Sequence, residues 1–175
     1  MVAKNFQPAL IKVLRYEGGY DDNPHDPGGA TNMGITLKNL SEWRGHVVTK
    51  QDVRDLSFDE AAQIYKAEYW DKCQCNKLPS GVDFTIFDFA VNSGPGRAAK
   101  YLQRIVGVNP DGIIGMTTLK AVKRENDPRH LIEAVCGARL SFLHRLRNWR
   151  YFGRGWANRV RDVQSNALSM VRKRP

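Results

Sequence analysis

The chain reads as mainly α, an α+β fold with one small turn-rich β lobe set directly after the first helix. Three observations predict this. Apolar residues recur at i, i+3, i+4 and i+7 in one segment after another. The stretch from Gly18 to Thr36 carries too much Gly, Pro, Asn and Asp for a helix and suits short strands joined by tight turns. The segment from Pro79 to Asn92 is apolar nearly all round, which places it as a helix in the centre of the fold.

Taken in order, the first helix is predicted from about Pro8, a residue suited to a first turn, to Glu17, with Gly18 and Gly19 as its break. After the turn-rich lobe, Thr36 is set to cap a helix to about Arg44, and Thr49 a short one from Lys50 to Leu56. Ser57-Phe-Asp-Glu60 has the spacing of a capping box and opens a helix to about Trp70, striped by Ala61, Ile64, Tyr65 and Tyr69. The central helix follows and ends at Ser93-Gly-Pro-Gly96. A helix over about Arg97–Val106, a turn at Asn109–Gly115 and a helix from near Thr117 come next. Asp127-Pro128 starts a long helix, predicted from Leu131 to Tyr151. Phe152–Arg159, with Gly153 and Gly155, is expected to break it before a last helix from about Trp156 to Val171. The aromatics Trp149, Tyr151, Phe152 and Trp156 are expected to pack more than to serve as sugar platforms.

At 175 residues the chain can bury one sizeable core, and its 42% hydrophobic and 26% charged composition is ordinary for a globular protein. Ser93–Gly96 is the one credible internal boundary, dividing residues 1–92 from 93–175. The first fourteen residues are interrupted by Lys4, Asn5, Gln7 and Lys12, which does not match a secretory signal, so synthesis in the cytoplasm is expected. Three cysteines, Cys73, Cys75 and Cys136, favour free thiols over a disulfide framework. The four histidines lack ligand spacing, so neither a metal nor another cofactor is expected. A Cys–His nucleophile ranks well below a carboxylate site.

Glu17 carries most of the functional information. It continues the stripe of Leu10, Val13 and Leu14 at the point where the helix stops, so an acid closes an apolar face. Partial burial and the negative end of the helix dipole both disfavour its ionised form, which is what a general acid requires. The following loop can swing a second carboxylate, Asp26, back over the helix end, with Thr31 five residues further on. One protonated and one ionised acid is the arrangement of glycoside hydrolysis. Asp26 precedes Pro27, and an Asx turn explains it as well. Tyr20 and His25 flank this region. Asp88 and Asn92, four apart on the central helix, share a face and must be hydrogen-bonded if buried; they are candidates for lining a substrate cleft or for an internal polar contact.

The Glu17-Gly-Gly-Tyr20 start, the Asp26-Pro-Gly-Gly-x-Thr31 turn and the Gly34-Ile-Thr36 exit resemble glycoside hydrolase family 108. That family comprises N-acetylmuramidases of phage endolysins and secretion-linked bacterial muramidases. The Phe152-x-x-Gly-Trp-x-x-Arg159 wording is similar as well, so the resemblance spans nearly the whole chain. It implies a lysozyme-like fold, Glu17 as catalytic acid, and Asp26 and Thr31 as the groups that handle the attacking water or the charge on the sugar. It also implies a peptidoglycan-binding segment from about Ser93, expected to complete the same fold. Lytic transglycosylase chemistry, using Glu17 alone, and a non-catalytic wall-binding module are the rival readings.

The charge bears on the partner. Residues 1–138 hold 17 Lys and Arg against 17 Asp and Glu, whereas residues 139–175 hold ten against Asp162 alone, so the net charge of +9 lies in the last segment. Peptidoglycan strands are the expected substrate, with anionic wall or membrane surface attracted to the basic end. No aromatic-interleaved basic motif marks nucleic acid as a partner. Action in the periplasm or wall then calls for an export helper such as a holin.

Overall fold

The computed structural model describes residues 5–22 and 29–171. It is mainly helical, with a small antiparallel β-hairpin after the first helix. By contact the chain forms two compact units, one of Leu10–Ala67 and one of Met1–Ala9 with Glu68–Pro175.

Helix α1 (Phe6–Glu17) has its first turn in the second unit and the remainder, from Leu10, in the first; it begins two residues before Pro8, which sits in the first turn where its missing N–H is harmless. Leu10 and Val13 on its inner face are fully buried. The hairpin pairs β1 (Thr31–Asn32) with β2 (Ile35–Thr36), Thr31 opposite Thr36. Helix α2 (Leu37–Arg44) is capped by the Thr36 side chain, which accepts from the Asn39 amide at 3.1 Å. Helix α3 (Lys50–Arg54) holds the reciprocal capping box, because Thr49 and Asp52 each accept from the other's amide. At α4 (Phe58–Tyr65) only half of the expected box forms. Ser57 accepts from the Glu60 amide at 3.1 Å, but the Glu60 carboxylate turns instead to Arg44 in a two-pronged pair at 2.9 and 2.8 Å. A charged fork outcompetes a neutral backbone amide for that carboxylate.

The expected helix to Trp70 changes character at Lys66. From Lys66 to Asp71 the backbone is π-helical, which adds a residue to the turn and carries the buried stripe from Ile64 and Tyr65 to Trp70. Tyr69, which α-helical spacing assigns to that stripe, is half-buried.

The second unit is built around α5 (Val82–Ser93). Residues 81–90 are buried without interruption, as an all-round apolar helix demands. Phe6, Trp70 and Phe87 meet edge to face with centroids 5.3–5.8 Å apart, and the Trp70 indole donates to Asn76 at 2.7 Å. Helix α6 (Pro95–Ile105) leads to the Asp-Gly turn, which is organised from inside by buried Gln103. Its amide donates to Asp111, Ile113 and Thr118 and accepts from the Gly112 amide at 2.9 Å. Helices α7 (Met116–Glu125) and α8 (Pro128–His144) follow, α8 capped by Asp127.

The predicted break at Phe152–Arg159 is corrected here. The chain turns at residues 145–148, and α9 runs unbroken from Trp149 to Met170 through both glycines. Gly153 lies inside that helix because a Cβ there would stand 2.5 Å from the Trp149 ring. The glycine serves close packing, not a break.

Candidate active site

Glu17 is the last residue of α1 and is half-buried. What lies against it is the tip of the hairpin. Met33 and Gly34 occupy the two turn positions with φ of 49° and 74°, the positive pair that a two-residue connection needs. Any Cβ added at Gly34 would meet Tyr65 Oη at 2.6 Å, Glu17 Cβ at 3.0 Å and Glu17 Oε2 at 3.1 Å. The carboxyl and the tyrosine hydroxyl therefore converge on one point, and only a residue without a side chain leaves room for them.

Two anchors hold the hairpin there. The Tyr65 hydroxyl, from the end of α4, donates to the Met33 carbonyl at 2.8 Å. The Asn32 side-chain amide donates to the carbonyls of Val53 and Arg54 at 3.1 Å each, satisfying two carbonyls at the end of α3. The strand entering the turn is tied back as well, because Asp21 and Thr31 exchange amide bonds at 2.9 and 2.8 Å. Beside this bridge, Lys50 pairs with Asp22 at 3.0 Å.

The predicted site residues fall into three groups. Glu17, Tyr20 and Thr31 share the first compact unit. Thr31 is half-buried on β1, and the half-buried Tyr20 carries the Arg54 guanidinium over its ring at 4.4 Å. His25 and Asp26 lie outside the described residues. Asp88 and Asn92 belong to the second unit and are engaged within it. Asp88 has no exposed surface; Arg139 donates to it at 2.6 Å and Arg159 at 2.9 Å, while Asn92 accepts from Arg139 at 3.2 Å. Among the two outcomes expected for this polar pair, the contacts in place are internal ones, joining α5, α8 and α9.

Tyr65, Asn32 and Gly34 were not legible as site residues. Tyr65 reads in sequence only as one apolar position in a stripe. The available signal was Met33-Gly34 between two alternating pairs, which marks a tight hairpin but not what the hairpin rests on.

The cysteines are free and buried, and burial pushes the Cys136 thiol up to about 12. Cys75 is raised by the same cause. At Cys75 and Cys136 little thiolate is therefore available near neutral pH, which works against a nucleophilic role for either. Among the described residues no group of three or more His, Cys, Asp or Glu is arranged to hold a metal ion.

Comparison with known proteins gives this geometry its class. The family described as Glycosyl hydrolase 108 matches residues 10–94, and the Predicted Peptidoglycan domain matches residues 97–161. Together these two matches define the class, a glycoside hydrolase that acts on peptidoglycan. The solved structure of SagA from Brucella abortus is 48% identical, covers 97% of each chain and superposes with a TM-score of 0.86. No curated protein matches. The chain belongs to glycoside hydrolase family 108.

Proposed function

We propose that the enzyme is an N-acetylmuramidase that hydrolyses the β-1,4 bond between N-acetylmuramic acid and N-acetylglucosamine, with Glu17 as general acid. The observation that carries this reading is the carboxyl at the end of α1, half-buried and backed by the Gly34 turn. A carboxyl fixed in this way can donate its proton to the leaving glycosidic oxygen as the sugar flattens toward an oxocarbenium ion. Asp26 orients and deprotonates the attacking water, or faces the developing positive charge, and Thr31 holds the same water through its hydroxyl. Separation of the two carboxyls by about 6.5–9.5 Å corresponds to inversion, and about 5–5.5 Å to a covalent intermediate.

The test is digestion of purified sacculi by the native enzyme and by Glu17→Gln in isotopically labelled water, with mass analysis of the fragments. The expected result is labelled reducing ends from the native enzyme and none from the variant. Anhydro ends without label would assign a lytic transglycosylase. Equal digestion by both proteins would remove Glu17 from the chemistry.

In the cell, we place this reaction in the periplasm or wall, opening it for phage lysis or for secretion, after export with a helper such as a holin. Cytoplasmic production that clears a culture only after the membrane is permeabilised is the outcome this setting requires.

A further inference from the structure

We infer that the first two turns of α9, with the turn that precedes them, form a second contact surface for peptidoglycan, carried by the unit that does not contain Glu17. This inference rests on the muramidase reading above. The aromatics of this segment divide in two. Trp149 and Trp156 are half-buried, with centroids 6.3 Å apart, and the His144 ring stacks on Trp149 at 3.7 Å. Tyr151 and Phe152 face outward, 67% and 55% exposed. The buried side of α9 is supplied by Gly153, Ala157, Val160, Val163 and Ala167. Phe152 leans on Trp156 with centroids 5.8 Å apart and Tyr151 stands 6.4 Å from Phe152, so the rings form one continuous aromatic surface whose outer part is open. Adjacent exposed aromatics are the kind of surface that marks an interaction site.

The charge around the rings selects the partner. Arg147, Arg150 and Arg154 are exposed, and among the described residues none of them has an acidic partner. Arg150 instead lies over the Tyr151 ring at 4.6 Å, which holds guanidinium and ring together as one platform. Pyranose sugars present apolar C–H faces that stack on such rings. The lactyl-linked stem peptides of peptidoglycan carry carboxylates, and guanidinium forks bind carboxylates in pairs. The Predicted Peptidoglycan domain runs to residue 161 and so includes this surface. Lipid headgroups and nucleic acid also attract arginine, but neither needs the domain that the match supplies.

Sacculus retention decides it. The parent is Glu17→Gln, which leaves the wall intact, and onto it are placed Tyr151→Ser with Phe152→Ser, or Arg150→Gln with Arg154→Gln. Each pair is expected to lower retention on purified sacculi at least fivefold while the variant stays folded with a cooperative thermal melt, since all four side chains are exposed and only the Phe152–Trp156 and Arg150–Tyr151 contacts are lost. Raised salt should weaken the parent more than the arginine pair. Retention equal to the parent for both pairs would overturn the inference. Unchanged retention on sacculi with loss of binding to phosphatidylglycerol vesicles or duplex DNA would also overturn it, in favour of that partner. A native enzyme that digests sacculi while the variants are retained like the parent refutes this surface alone. A native enzyme that neither binds nor digests them refutes the proposed function with it.

Discussion

Replacing Gly34 by alanine tests whether the hairpin tip positions the carboxyl at the end of α1. The added methyl carbon would sit 2.6 Å from Tyr65 Oη, 3.0 Å from Glu17 Cβ and 3.1 Å from Glu17 Oε2, at a φ of 74°. The left-handed backbone alone costs alanine about 1 kcal/mol. Overpacking adds roughly 1–3 kcal/mol, because the nearest atom is not a loose side-chain end: the Tyr65 ring is buried and its hydroxyl is bonded to Met33. A loss of about 2–4 kcal/mol in urea denaturation is therefore expected, together with at least a tenfold fall in the rate of sacculus hydrolysis. Tyr65→Phe removes the closest contact, so the Gly34→Ala, Tyr65→Phe double variant should recover part of the loss, with a coupling of about 1 kcal/mol. Parent-like stability and rate in Gly34→Ala would refute the reasoning, since no atom can occupy that point without moving the carboxyl or the turn.

Asp88→Ala leaves buried Arg139 and half-buried Arg159 without their shared carboxylate, and a loss of about 3–5 kcal/mol is expected by urea denaturation; an unchanged midpoint would show that the pair carries no such weight. Glu60 is held below its ordinary value of 4.5 by the Arg44 fork, so its stabilisation is present above that pH and is lost as pH falls through the lower folded value. Glu60→Gln should accordingly be less stable than the parent by about 1 kcal/mol at neutral pH, with a gap that closes in acid; a gap that widens in acid would contradict the pairing.

The course of the helices shows where sequence reading stops. Thr36, Thr49 and Asp127 were legible as caps because a cap is local, a side chain meeting an amide two or three residues on. The end of α8 was not. Residues 145–148 contain neither glycine nor proline, while the glycines at 153 and 155 lie within α9. Arg139 and Arg159 in one straight helix would stand about 30 Å apart, yet both reach Asp88, so the chain has to turn between them. The exposure of Tyr151 and Phe152 beside half-buried Trp149 and Trp156 follows from the same long-range packing.

The sequence by itself determined the mainly helical class, the hairpin lobe, the position of Glu17 where α1 ends and the excess of positive charge in the final segment. Each depends on residue type at short spacing, which a linear chain displays. Only the tertiary structure decided that Tyr65 reaches across to Met33, that Gly34 rests on the carboxyl, that Asp88 is shared by two arginines and that the stripe of α4 shifts to Trp70 through a π-turn. Those depend on which distant segments meet, and distance along the chain carries no record of that.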